Sequence, residues 1–118
     1  MKLFRWDEVP EENLSDTLVR KMIYGEKVMI AHLILRKGCV VPTHSHESEQ
    51  MSYILEGSLN FNINGEEIVV RAGEVIQIPS NVPHSAVATE DCVAIDTFSP
   101  IRRDWIEGKD DYLRGKRV

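Results

Sequence analysis

Apolar residues recur along this chain in short runs, separated by polar, glycine and proline positions. Residues 59–63, Leu-Asn-Phe-Asn-Ile, alternate between apolar and polar, the period of a strand with one buried face. Asn64-Gly65 follows, and then Ile68-Val69-Val70. Asn-Gly between two such runs predicts a tight hairpin, because both central residues of a type I′ turn need positive φ. Further strands are predicted at 28–36, 51–55, 75–78, 85–88 and 92–98, and Val40-Val41-Pro42 leads into another. Gly25-Glu26 and Ala72-Gly73-Glu74 supply turns, while Pro79 and Pro83 bound a constrained loop. The pattern predicts helix only at 7–14 and in the tail from Arg102 onward. Many short strands at close spacing imply an all-β sandwich or small barrel with a short helical C-terminal tail.

Composition narrows the classes. The 118 residues suit one domain, and 42% hydrophobic with 28% charged residues is the balance of a globular chain. A net charge of −5 offers no basic footprint for nucleic acid and weighs against an anionic membrane surface. The first stretch carries Asp7, Glu8, Glu11 and Glu12 rather than the apolar core of a secretory leader. No apolar run approaches the ~20 residues of a spanning helix. Cys39 and Cys92 lack C-x-x-C spacing and read as reduced thiols of a cytoplasmic protein. The basic end, Arg114-Gly115-Lys116-Arg117, reads as a solvated terminus.

The chemistry concentrates in the histidines. Of the four, His44 and His46 form an H-x-H pair and His84 stands beside Pro83. Alternate residues of a strand share a face, so the pair aims two imidazoles at one point. Imidazoles suit divalent transition metals, and Pro79 and Pro83 stiffen the approach to His84. His32, in an apolar run, reads as core or interface.

The segment Gly38-x5-His44-x-His46-x3-Gln50-x6-Gly57 resembles the first motif of the cupin family, with Gln50 where that motif has Glu. The segment Gly73-x5-Pro79-x-Asn81-x2-His84-x3-Ala88 resembles the second. Asn81 stands at a motif glycine, and Asn tolerates the left-handed conformation. Ala88 stands at the motif's final Asn. The resemblance implies one cupin domain over 1–118, a jelly-roll β-barrel with motifs at 38–57 and 73–88. It implies His44, His46, Gln50 and His84 around one divalent metal ion, which Ni, Zn, Mn, Fe, Co or Cu would satisfy. A neutral Gln50 would leave the ion its full charge, favouring Lewis-acid work. The alternative is that Gln50 only hydrogen-bonds, with Glu47 or Glu49 supplying charge. Small cupins are usually dimers, so a homodimer is expected, with a strand around residues 3–6 joining a partner's sheet.

A second cluster follows. Ala94, Asp96 and Phe98 share a strand face, and a carboxylate facing inward needs a partner or a function. An arginine beyond it suits a carboxylate, held by a two-pronged hydrogen bond. Asp96, Phe98, Ser99, Pro100 and Arg102 resemble the D-x-F-S-P-x-R segment of the KdgF-type pectin-degradation proteins. That resemblance implies conversion of 4,5-unsaturated uronates, small anionic sugars from pectin or alginate, to the linear 4-deoxy-5-keto acid. It implies catalysis by Asp96 and sugar contacts by Phe98 and Arg102. Ser52 shares the face of Gln50 and is a candidate for a further substrate hydrogen bond. Asp96 as a structural partner of Arg102 is the plainer alternative. Arg103-Asp104 reads as a surface pair, and Trp105 as the cover of one barrel end. A dioxygenase-type cupin and a non-catalytic binder of a small acid or sugar remain the competing functions.

Overall fold

A computed structural model describes residues 1–115. Among them lie ten strands, β1 (Glu12–Ser15), β2 (Leu18–Tyr24), β3 (Met29–Leu35), β4 (Val40–His44), β5 (Glu49–Glu56), β6 (Ser58–Ile63), β7 (Glu66–Arg71), β8 (Val75–Ile78), β9 (His84–Val87) and β10 (Cys92–Ser99). They form a six-stranded sheet, β1-β2-β3-β10-β5-β8, facing a four-stranded sheet, β4-β9-β6-β7. All the pairings are antiparallel. This is the expected all-β jelly-roll barrel.

Period-two burial builds the core. On β3, Met29, Ala31, Leu33 and Leu35 are buried, while Ile30, His32 and Ile34 lie half-exposed on the outer face. On β10, Cys92, Ala94, Asp96 and Phe98 point inward. On β5, Gln50, Ser52 and Ile54 do so, leaving Met51, Tyr53 and Leu55 exposed. The Asn64-Gly65 hairpin forms as predicted, with φ of 52° and 90°, joining β6 to β7. Gly57 is required sterically, since a Cβ there would stand 2.1 Å from the Asp91 carbonyl oxygen. Cys39 and Cys92 are free and buried.

The N-terminus departs from expectation. Residues 7–14 are no helix: a 3-10 turn spans Trp6–Glu8, and Glu12–Ser15 pairs with β2 as an edge strand. Sheet pairing overrides the helical spacing there. Residues 3–5 form no strand within this chain, and Trp6 rests against the His32 ring at 5.7 Å.

The tail is a single helical turn, α1 (Arg103–Ile106), followed by a 3-10 turn at Asp111–Leu113. It closes one end of the barrel by burying Trp105 and Leu113. Arg20 and Asp110, both with fully buried side chains, fasten it through a 2.7 Å ion pair. Glu12 also binds Arg20, at 3.1 Å, and Arg114 binds Asp110 at 2.6 Å. Arg114 is therefore ion-paired, not free in solvent, while Lys116 and Arg117 lie outside the described residues.

Candidate metal centre

His44 ends β4 and His84 begins β9, and the two are register partners. His46 lies in the loop just beyond β4, not on the strand itself. The chain still returns it to the same point: one ligating atom from each of His44, His46 and His84 lies within 4.8 Å of the others. Asn81, with φ of 64°, takes the left-handed position ahead of His84, and its N–H donates to the His46 carbonyl.

The tautomers follow from the backbone. The Nδ1 atoms of His44, His46 and His84 lie 2.8 Å from the carbonyl oxygens of Pro42, Ser48 and Val82. A carbonyl only accepts, so each Nδ1 carries the proton and each Nε2 presents a lone pair inward. Such backbone anchoring is what fixes metal-binding imidazoles. The His84 Nε2 is buried with no hydrogen-bond partner. Burial holds His44 and His46 down at about 4, against an ordinary 6.5, and lowers His84 as well. The three rings are thus neutral at neutral pH, with their Nε2 lone pairs open to a metal ion.

Gln50 completes the arrangement. Its Oε1 lies 3.1 Å from the His46 Nε2, while its Nε2 donates to Ser52 Oγ at 2.9 Å and to Asp96 Oδ2 at 3.5 Å. Those two acceptors hold the amide with its oxygen toward the histidines. Glu49 points outward and accepts from Gln77 Nε2 at 2.8 Å, and Glu47 is exposed. The donor set therefore fits a divalent ion: convergent lone pairs, a buried unpartnered Nε2 and no proton to share.

The second cluster reaches the same place. Across β5 and β10, Asp96 pairs in register with Ser52, and Phe98 with Gln50. Asp96 is 8% exposed, and burial pushes its carboxyl from 3.8 up to about 6, against the lowering effects of Ser52 and Arg102. One cavity is lined by His44, Gln50, His84, Asp96, Phe98 and Arg102. Ser52 is fully buried and stands behind Gln50, its hydroxyl occupied by the amide.

Arg102 is 3% exposed, but its partner is not Asp96. Asp104 accepts from its Nε at 3.0 Å and its Nη2 at 2.9 Å. Asp104 is thus no surface partner of Arg103. Trp105 does cover the barrel end, edge-on to Phe98 at 4.9 Å and beneath both Arg20 and Arg102. Tyr112, which no sequence pattern marks, also reaches the cavity, with its ring 4.7 Å from that of His44.

Comparison with known proteins agrees with this geometry. A family model described as a cupin domain matches residues 31–98. The pectin degradation protein KdgF of Dickeya dadantii is 34% identical over 103 residues, covering 85% of this chain and 94% of its own. The structure of KdgF from Halomonas sp. superposes with a TM-score of 0.82 at 28% identity, covering 89% of this chain and 98% of that one. An RmlC-like cupin from Shewanella frigidimarina superposes with a TM-score of 0.83 at 30% identity, covering 89% and 96%.

Proposed function

The chain belongs to the cupin family, and from that membership we propose that it is a metal-dependent enzyme acting as KdgF-type proteins are expected to, converting 4,5-unsaturated uronates to the linear 4-deoxy-5-keto uronate. One observation carries the reading: the buried carboxyl of Asp96 opens on the same cavity as His44, His84 and Arg102. A pectin-degradation relative of nearly equal length supports it.

His44, His46 and His84, with Gln50 as a fourth neutral donor, would hold one divalent transition ion. When bound, that ion supplies a Lewis-acid charge for a substrate oxygen that becomes negative. Asp96, held near pH 6 by burial, is suited to carry a proton at neutral pH. It delivers that proton to C4 of the enol ether. Water adds at C5, and the hemiketal collapses by breaking the bond from C5 to the ring oxygen. The hydrated C1 then loses water, so the net change is isomerisation. Arg102 faces the carboxylate, and Phe98 supplies the apolar wall for the sugar ring. The cavity is about 50 Å³, far below the several hundred Å³ usual for ligand sites. The cavity therefore widens to admit the sugar, and the tail, which supplies Trp105, Tyr112 and Leu113 to the wall, is the segment whose outward movement would do so.

The test is loss of ultraviolet absorbance from freshly made 4,5-unsaturated galacturonate, compared with the spontaneous rate. Acceleration that a chelator abolishes and metal restores is the expected result. No acceleration by fully metallated protein overturns the reading, and oxygen uptake instead would indicate a dioxygenase.

The same reading includes a homodimer in the cytoplasm. Two free thiols suit a reducing compartment. The outer face of the six-stranded sheet exposes Met51, Tyr53, Leu55 and Val75, an apolar surface that a second copy would cover. A monomer in sedimentation at micromolar concentration would overturn the dimer.

A further inference from the structure

Arg102 is not free to grip a carboxylate with two prongs of its own. Asp104 occupies Nε and Nη2, and the remaining reach of Nη2 goes to Tyr112 Oη at 2.7 Å. Only Nη1 is left, buried and without a partner. A buried N–H donor left unpaired costs about 1–3 kcal/mol, so its persistence in a cavity wall points to a ligand.

Tyr112 carries the complementary feature. Its oxygen accepts from Arg102 Nη2 and also from Trp105 Nε1, at 3.2 Å. A phenol oxygen offers two lone pairs and one O–H. Both lone pairs are used, so only the proton remains to be given. The ring lies against His44, with 34° between planes, and lines the same cavity as Asp96 and Arg102. Phe98 and Trp105 pack on the guanidinium, at 5.1 and 4.7 Å, and hold it in place.

We infer that Tyr112 is a substrate-binding residue, whose O–H joins Arg102 Nη1 to form the two-pronged grip on the substrate's carboxylate. Asp104 then acts as a positioning residue, holding the guanidinium from behind with its free nitrogen toward the cavity. Because Tyr112 rides on the tail, the grip assembles as the tail closes over the sugar. This inference rests on the uronate reading.

The experiment compares metal-loaded wild type, Tyr112→Phe and Tyr112→Gln on 4,5-unsaturated galacturonate and on its methyl ester, with metal content and melting temperature measured alongside. One hydrogen bond to a charged group is worth about 1.5–3 kcal/mol, a factor of roughly 10–100. Tyr112→Phe is expected to raise KM for the acid by that factor, with kcat changed far less and KM for the neutral ester unchanged. Tyr112→Gln, which keeps both a donor and an acceptor, is expected to recover part of the loss. Equal KM for the acid in wild type and Tyr112→Phe overturns the inference while leaving the uronate reading intact. So does an equal loss on acid and ester, which marks a merely structural role. If Tyr112→Phe loses metal or melts early, absence of any recovery in Tyr112→Gln overturns it. No turnover by wild type overturns the uronate reading and this inference together.

Discussion

The Nε2 atom of His46 and the Oε1 atom of Gln50 face each other at 3.1 Å. The His46 proton sits on Nδ1, given to the Ser48 carbonyl, so both facing atoms are lone-pair donors. Two such atoms repel unless a cation lies between or beside them. Gln50→Leu is therefore expected to weaken metal binding about 10–100-fold, the usual range for groups that tune a metal site. Glu49→Ala, whose carboxylate faces Gln77 on the outside, leaves affinity unchanged. Chelator competition measures both, and the opposite order would remove Gln50 from the ligand set.

Metal affinity should be flat across neutral pH. A histidine with an ordinary value near 6.5 begins to exchange metal for protons there, but His44 and His46 are held at about 4 by burial. Competition titrations should show metal retained at pH 6.5, where an ordinary histidine site is already losing it to protons, and released as pH falls toward 4. The metal-free protein follows the same sign. The unfolded chain takes up protons at 6.5 and the folded one only near 4, so stability is complete above 6.5 and is lost as pH falls toward 4.

Asp96 carries the opposite sign. Its folded value, about 6, lies above the ordinary 3.8, so the stability linked to it is complete below 3.8 and is lost as pH rises through 6. At pH 8 the metal-free protein bears a penalty on the order of 3 kcal/mol for this carboxylate. Asp96→Asn should raise the melting temperature of metal-free protein at pH 8, with the gain vanishing by pH 4. The same variant should bind metal and lose about 10²–10⁴-fold in turnover. Near-normal turnover would remove Asp96 from the chemistry.

The tail depends on one buried charge pair. Asp110→Ala takes from the Arg20 guanidinium, which has no solvent exposure and lies 4.5 Å over the Trp105 ring, its one fully buried partner. It leaves Nη1 facing none, with only the part-exposed Glu12 on the other side. Breaking a buried pair from one side costs about 3–5 kcal/mol. Chemical denaturation should show that loss, and turnover should fall with it because Trp105 and Tyr112 ride on the same segment. A loss under 1 kcal/mol would mean that water reaches Arg20 when the carboxylate is gone.

The sequence by itself determined the barrel and the histidine cluster. Alternation at 59–63, the Asn64-Gly65 turn and the inward set Ala94, Asp96, Phe98 are local signals, because a strand's two faces and a turn's φ are fixed by neighbouring residues. The resemblance of 38–57 and 73–88 to the two cupin motifs marked His44, His46 and His84, although His46 reaches the site from a loop and not along a strand face. Tertiary structure decided what depends on residues distant in sequence. Leu18–Tyr24 carries Arg20 and Lys21 at its centre and reads poorly as a strand, yet it is one, because Asp110 neutralises Arg20 from ninety positions away. Residues 7–14 gave up their helical spacing to an edge-strand pairing with β2. Asp104 was recruited to Arg102, and Tyr112 was carried onto His44 by a tail that the Arg20 pair holds down. No periodicity encodes such contacts, since each is set by where the closed barrel brings two side chains together.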